Sequence, residues 1–263
     1  SEQQSIASFL DAKTKPIDAI ISKREKQIEL LEEMKSAIIS RAVTKGLNPN
    51  AKMKYSGIEW IGEVPEEWEL IKTSLLFRLI GSGTTPSKNG TNYADEGLHW
   101  LQTGDLNDGY ISDTSKYITE LAVQENSALT LFSKGSLVIA MYGATIGKIG
   151  ILDIDSYTNQ ACCVLGKGKG INTKYAFYAY HAGKEALINE SRGGGQPNIS
   201  QDIIRHFIIP VPKLFEQRAI ASYLDTETSK IDARIAKHRK QIALLQEYKQ
   251  ALITDAVTGK IDV

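Results

Sequence analysis

Near the start of the chain, apolar positions recur at alternating steps. Ile17, Ile21, Arg24, Ile28, Leu31, Lys35 and Ile38 are separated by four, three, four, three, four and three residues. That spacing draws a heptad seam along one face of a long helix. Near the other end, Ile231, Ile235, His238, Ile242, Leu245, Lys249 and Leu252 repeat it. The apolar members, Ile17, Ile21, Ile28, Leu31 and Ile38 with Ile231, Ile235, Ile242, Leu245 and Leu252, are the expected interface of an antiparallel coiled coil. Lys35 and Lys249 lay their methylene stems along it, beside Met34 and Tyr248. Arg24 and His238 occupy the same midpoint, with two readings: a polar seam residue that fixes register at a cost in stability, or a side chain pointing to solvent. A shorter helix, "EQQSIASFLDAKT", is predicted ahead of the first seam, with Ile6, Phe9 and Leu10 on one face. Thr14 or Asp18 then begins a long helix of roughly 25 residues, about 40 Å at 1.5 Å per residue.

The two ends are copies of one segment. The chain opens "SEQQSIASFLD" and later reads "FEQRAIASYLD". With Glu2 set on Glu216, a shift of 214, 25 of 43 positions match without a gap as far as Thr44. This is an internal duplication with a large insert, not a short-period solenoid.

The pattern changes in the insert. "LLFRLI", "GLHWLQT", "SLVIAMY", "KIGILDI", "ACCVLG" and "HFIIPVP" read as strands, separated by Gly, Asn, Asp, Thr and Ser turns. Helices are expected at about 174–189 and 200–206. The predicted class is α+β: helical regions at 1–54 and 213–263 flank a mixed, mostly antiparallel α/β domain at 55–212.

Composition narrows the function classes. The chain has 263 residues, 31 basic and 31 acidic, so it is no simple polycation. Residues 1–54 and 213–263 hold 19 Lys/Arg and 14 Asp/Glu, a net +5; the insert is −5. Five of the insert's acids lie between Glu59 and Glu69. No apolar run reaches membrane-spanning length, and the N-terminal residues lack a signal-peptide core. Cys162 and Cys163, adjacent and without nearby His or Cys partners, read as a buried strand in a reduced, cytoplasmic protein.

Several loops of the insert are rich in hydrogen-bonding side chains. They are "GSGTTPSKNGTNY" (81–93), "TGDLNDG" (103–109), "MYGATIGKIG" (141–150), "YTNQA" (157–161) and "SRGGGQPNIS" (191–200). Arg and Lys suit guanine or phosphate, Asn and Gln suit adenine, and Ser and Thr suit either. "GATIGKI" is no phosphate-binding loop: three residues separate its glycines and Ile149 follows Lys148. His99, His181, His206 and His238 lack metal-ligand spacing. No catalytic triad, paired carboxylates or Asn-Pro-Pro-aromatic motif is present.

Taken together, "SGIEWIGEVPEEWEL", "GTTPSKN", "LHWLQTGDLNDG", "YGATIGKIGIL", "TNQACCVL", "GGGQPNIS", "IPVPKLFEQRAIASYLDTETSKID" and the terminal "AVTGKID" resemble the specificity subunit of type I restriction-modification enzymes. The resemblance covers essentially the whole chain. It implies a non-catalytic subunit whose target-recognition domain reads one half of a bipartite double-stranded DNA site. It implies helices that form an antiparallel coiled coil and dock methyltransferase subunits. Those partners, not this chain, carry S-adenosylmethionine; no cofactor is expected here. A restriction motor-nuclease subunit is an indirect partner, and no membrane is involved. The expected DNA-facing residues are Thr84, Thr85, Ser87, Lys88, Tyr142, Thr145, Lys148, Arg192, Gln196 and Asn198.

The sequence departs from the family pattern in holding one recognition domain between both helical copies. That suggests a natural half-subunit or a trimmed chain, two copies of which associate as a homodimer through the helices and read an interrupted palindrome. Two other classes remain open. One is a helical adaptor whose insert binds a protein or peptide; the other is a small enzyme supported only by the polar loops.

Overall fold

The computed structural model describes residues 2–87, 91–191 and 198–261. Its α-helices are α1 (Glu2–Lys45), α2 (Thr73–Leu76), α3 (Glu120–Glu125), α4 (Thr173–Ala182), α5 (Lys184–Asn189), α6 (Gln201–His206) and α7 (Leu214–Val257). Its first seven strands are β1 (Met53–Tyr55), β2 (Glu63–Pro65), β3 (Glu69–Lys72), β4 (Phe77–Gly81), β5 (Tyr93–Ala94), β6 (Leu98–Leu101) and β7 (Gly109–Ile111). The remaining six are β8 (Tyr117–Ile118), β9 (Leu137–Ala140), β10 (Ile149–Leu152), β11 (Tyr157–Thr158), β12 (Cys162–Gly168) and β13 (Ile208–Val211). The chain divides into two compact units, Ser1–Ile38 with Asp225–Val263, and Ile39–Leu224.

In the first unit the sequence pattern predicts a break that does not occur. Each terminal helix runs unbroken for 44 residues, about 66 Å by the helical rise and not 40 Å. Ile6, Leu10, Thr14, Ile17 and Ile21 keep one phase, so the apolar face runs through Pro16. One proline does not stop a helix whose packing face continues on both sides.

The two helices pack against each other. Leu31, Ile231 and Ile235 form a buried cluster with Ile28 and Ile38 against it. Ile17 and Ile21 are also buried, while Ile242, Leu245 and Leu252 are half-buried. Two ion pairs fix the direction: Lys35 Nζ lies 2.7 Å from Asp232, and Lys249 Nζ lies 2.6 Å from Asp18. The lower position on one helix meets the higher on the other, so the pair is antiparallel. Moving Asp18 and Lys35 by 214 positions gives Asp232 and Lys249. The two ion pairs are therefore one interaction seen from each copy, and a local two-fold axis relates them, as in a self-complementary dimer interface. Halfway between them lie Gln27 and Gln241. Arg24, which donates to Gln27 Oε1 at 2.9 Å, and His238 are both half-buried, between the two expectations for them. The seam lysines do more than lay down their stems: their ammonium groups reach the facing helix.

In the second unit a five-stranded sheet, ordered β4-β12-β9-β10-β7, forms the centre. It is antiparallel except for β10 and β7, which run parallel. Val138, Ala140, Cys162 and Val164 face a cluster with Leu101, Leu106 and Phe132. Leu137, Ile139, Cys163 and Leu165 on the same strands are equally inaccessible, and α4 packs against β9 and β10. A sheet covered on both faces requires continuously apolar strands, which is why "SLVIAMY" and "ACCVLG" do not alternate. A second sheet, β11-β6-β8-β5, closes over Trp100, Ile118, Ala122, Leu129 and Tyr157.

The two small sheets, β1-β2 and β13-β3, carry "EVPEEWEL". "LLFRLI" is strand only from Phe77. Thr73 N bonds the Phe207 carbonyl and its hydroxyl contacts Tyr180 OH, pulling Thr73–Leu76 into a helical turn. The expected helix at 174–189 is two, α4 and α5, joined at Gly183, where a Cβ would lie 2.7 Å from Phe207.

The start of α7 belongs to this unit. Gln217 is buried, with its side-chain amide donating to Gly170 O and Pro212 O at 3.0 and 2.8 Å and its carbonyl accepting from Asn172 N at 2.8 Å. Ile220 and Leu224 behind it are fully inaccessible.

Candidate nucleic-acid interface

Strand register gathers the polar loops at one end of the central sheet. Cys162 stands opposite Ala140, Val164 opposite Gly81, Ile149 beside Ile139 and Gly150 beside Gly109. The loops leaving β4, entering β7, linking β9 to β10 and entering β12 therefore emerge from the same edge. They are the segments 82–87, 102–108, 141–148 and 158–161.

Hydrogen bonds lock these segments together. Gly83 N donates to Thr158 Oγ1 at 3.0 Å, and a Cβ on Gly83 would sit 1.9 Å from the Thr158 carbonyl oxygen. Only glycine allows this approach. Thr85 Oγ1 donates to Gln160 Oε1 at 2.6 Å, and both side chains are exposed. Trp100 Nε1 fixes the Thr84 carbonyl at 3.1 Å. Asn92 Nδ2 bonds Ser87 Oγ at 2.7 Å. Met141 N bonds Ala161 O and Ile199 N bonds Met141 O, with Tyr142 bridging Asn198. Gln201 Nε2 reaches Ser82 Oγ at 2.8 Å. Between Tyr142 and Lys148 the chain makes a tight turn: Gly147 has φ +73° and abuts Ile188, and Lys148 N bonds Thr145 O at 2.9 Å.

Of the residues expected from sequence, Thr84, Thr85, Ser87, Tyr142, Thr145, Lys148 and Asn198 come to this edge. Thr85, Ser87 and Asn198 are exposed; Thr84, Tyr142, Thr145 and Lys148 are half-buried. Lys88, Arg192 and Gln196 lie outside the described residues. Sequence reasoning left out Gln160, which faces solvent and is bonded to Thr85. "YTNQA" marked its loop, but nothing linked residue 160 to residue 85.

The edge's acids, Asp105 and Asp108, are half-buried and bonded to backbone. Asp105 accepts from the backbone N–H groups of Gln102 and Ser115 at 2.8 and 3.0 Å, and Asp108 accepts from Ile149 N at 3.0 Å. Those carboxylates organise backbone, and Asp108 also faces Lys184 Nζ at 4.0 Å. Burial lifts the Tyr142 hydroxyl above its usual value of 10.0, so it remains a hydrogen-bond donor at neutral pH. Burial also raises the Cys162 thiol and pushes Cys163 up to about 12. Both sulfurs stay protonated, packed in the sheet, and unsuited to nucleophilic chemistry. Among the described residues, no three His, Cys, Asp or Glu side chains converge as metal ligands, and no helix is long and apolar enough to cross a membrane.

The sheet ends thus present polar loops held in place by hydrogen bonds to one another. Residues 65–244 match the family described as the type I restriction modification DNA specificity domain, and the chain belongs to that family. It is 29% identical to the type I restriction enzyme MjaVIII specificity subunit of Methanocaldococcus jannaschii, covering 100% of this chain and 60% of the relative. It is 26% identical to the type I restriction enzyme EcoKI specificity subunit of Escherichia coli, over 76% of this chain and 44% of the relative. The chain thus spans roughly half to three-fifths of these relatives.

Solved structures share the fold. A chain from work on complex assembly and conformational transition of the type I R-M system superposes with TM-score 0.73 at 18% identity, over 97% of this chain and 58% of that one. The HsdS subunit from Thermoanaerobacter tengcongensis superposes with TM-score 0.60 at 18% identity, over 99% and 59%.

Proposed function

We propose that this chain is a DNA-reading component of a type I restriction-modification complex. The loop edge of the second unit reads one half of a bipartite duplex target. The convergence of segments 82–87, 141–148, 158–161 and 198–200 on one sheet end carries this reading. Side chains fixed by their neighbours lose little freedom on binding, and threonine, glutamine, asparagine and lysine are suited to base edges and phosphates.

The chain performs no chemistry in this scheme. Methyltransferase subunits docked on the helix pair bring S-adenosylmethionine and modify the bases, and a motor-nuclease subunit acts through them. Phosphate contacts shared with those partners would relieve an insert of net charge −5 from binding DNA alone. The complex would work in the cytoplasm, where the DNA is. A homodimer of such chains would read an interrupted palindrome. Because the heptad seam is already filled within the chain, that association would use another surface.

The test is selection from a randomised duplex library by the chain together with its methyltransferase. Enrichment of a short fixed motif is the expected result. Recovery of unselected sequence, with binding that only follows salt, would overturn the reading.

A further inference from the structure

Thr85 and Gln160 are exposed, yet their side chains are bonded, Thr85 Oγ1 donating to Gln160 Oε1 at 2.6 Å. The fold does not need that bond. The carbonyls of Thr84 and Pro86, on either side of Thr85, accept from Trp100 Nε1 and Tyr93 OH at 3.1 and 3.3 Å. On the other loop, Asn159 N donates to the Leu101 carbonyl at 3.0 Å and Ala161 N to Asn159 Oδ1 at 3.1 Å. The Ala161 carbonyl accepts from Met141 N at 2.8 Å. The two loops already meet where Gly83 N bonds Thr158 Oγ1. A redundant tie that holds a long side chain still at the surface costs rotamer freedom. What it yields is a side chain already set for binding.

The tie also decides what the pair can offer. The Thr85 hydroxyl proton is committed to Oε1, and among the described residues neither side chain has another hydrogen-bond partner. Left for a ligand are the two N–H donors of Gln160 Nε2 and, beside them, the second lone pair of Oε1. A free glutamine turns its amide over and exchanges donor for acceptor; here the proton on Oε1 sets their order. In the major groove adenine presents an acceptor, N7, beside a donor, N6–H. Guanine presents two acceptors, cytosine a donor alone, and thymine an acceptor with a methyl group. Adenine alone satisfies a donor and an acceptor side by side. Guanine sets O6 against the Oε1 lone pair, thymine sets its methyl group there, and cytosine leaves Nε2 without a partner in a desolvated contact.

We infer that Thr85 and Gln160 form one reading unit for an adenine in the major groove. Gln160 Nε2 donates to N7, Gln160 Oε1 accepts from N6–H, and Thr85 is the positioning residue that fixes the amide. This rests on the reading that the sheet edge faces DNA, and it adds the base and the groove.

The test is selection from a randomised duplex library by the 263-residue chain with its methyltransferase, read as base frequencies at each position of the motif. The unaltered chain is expected to prefer adenine at one position by about 10-fold or more. Gln160→Glu, an acceptor only, moves that position to cytosine, the base a carboxylate pairs with, and leaves the other positions as they were. Thr85→Val takes the proton from Oε1, so the amide swings Nε2 onto guanine as well, and the two purines come within about threefold of each other. Thr85→Ser returns the hydroxyl and with it the preference. Both residues are exposed, so thermal unfolding stays at the parental temperature in every variant. A motif unchanged in Gln160→Glu and Thr85→Val overturns the inference while leaving the DNA reading intact. So does a change at a position that takes A·T and T·A alike, the mark of minor-groove contact, or equal weakening on every sequence, the mark of a phosphate contact. An unaltered chain that selects no motif overturns the DNA reading and the inference together.

Discussion

The same residues live differently in the two copies of the repeat. Gln217 is 1% exposed, and Ile220 and Leu224 are 0% exposed. Their counterparts Gln3, Ile6 and Leu10 are exposed, half-buried and half-buried. Side-chain identity is equal at these three positions and α-helical conformation is shared, so neither explains the contrast. What differs is the surroundings: Gly170, Asn172 and Pro212 supply polar partners to Gln217. An element's contribution to stability is therefore set by what it packs against, and the repeat provides an internal control for each measurement.

The largest expected contrast is in packing. Leu224→Ala should cost about 2–5 kcal/mol by the behaviour of fully buried leucines, while Leu10→Ala should cost less than about 1 kcal/mol. Urea unfolding of both variants reads the difference, and equal losses would break the comparison.

Next comes the buried amide. Gln217→Leu leaves two backbone carbonyls and one N–H without partners, a loss of about 2–4 kcal/mol; Gln3→Leu should fall within about 0.5 kcal/mol of the parent. Thermal unfolding is sufficient to separate them.

The helix pair should behave oppositely, because there the two copies do the same job. Asp18→Asn and Asp232→Asn each remove one member of the paired bridges, and partly exposed ion pairs contribute about 0.2–1 kcal/mol. The two losses should agree and shrink together in high salt. Unequal losses would show that the local two-fold relation is not energetic.

The smallest effect is a pH dependence. Burial raises the Glu216 carboxyl above its usual 4.5, although the 3.2 Å bond from Trp68 Nε1 pulls it down. A folded-state pKa above the unfolded one favours the protonated form. Its contribution is present below about pH 4.5 and is lost as pH rises through the raised value. Glu216→Gln keeps an acceptor for Trp68, so it should flatten stability just above pH 4.5 and leave more acidic conditions alone. An unchanged pH profile would contradict the assignment.

Against these contrasts, what could be read from sequence has a physical boundary. The seam was legible because heptad spacing is local and needs no knowledge of the partner. The reach of Lys35 to Asp232 was not, because it depends on which helix faces it. "EQQSIASFLDAKT" looked separable from the long helix because Pro16 punctuates it, yet the apolar phase runs through. In the insert, the continuous strands of "SLVIAMY" and "ACCVLG" were plain. Leu75 and Leu76 were misread as strand because the turn Thr73–Leu76 is imposed by Phe207 and Tyr180 from far along the chain. The loops announced their chemistry by composition, but the Thr85–Gln160 bond and the glycine-only passage of Gly83 past Thr158 join residues 75 positions apart. Such convergence follows from sheet register, which pairs distant segments and leaves no local sequence mark.

The central claim is that this sheet edge reads DNA. It is tested most directly by mapping methylated bases in cells that express the chain with its methyltransferase, comparing the unaltered chain with a Thr85→Ala, Gln160→Ala double variant. The account predicts one interrupted motif for the parent and relaxed choice at one or more of its fixed bases for the variant. The same motif, equally stringent and equally occupied in both, would contradict it.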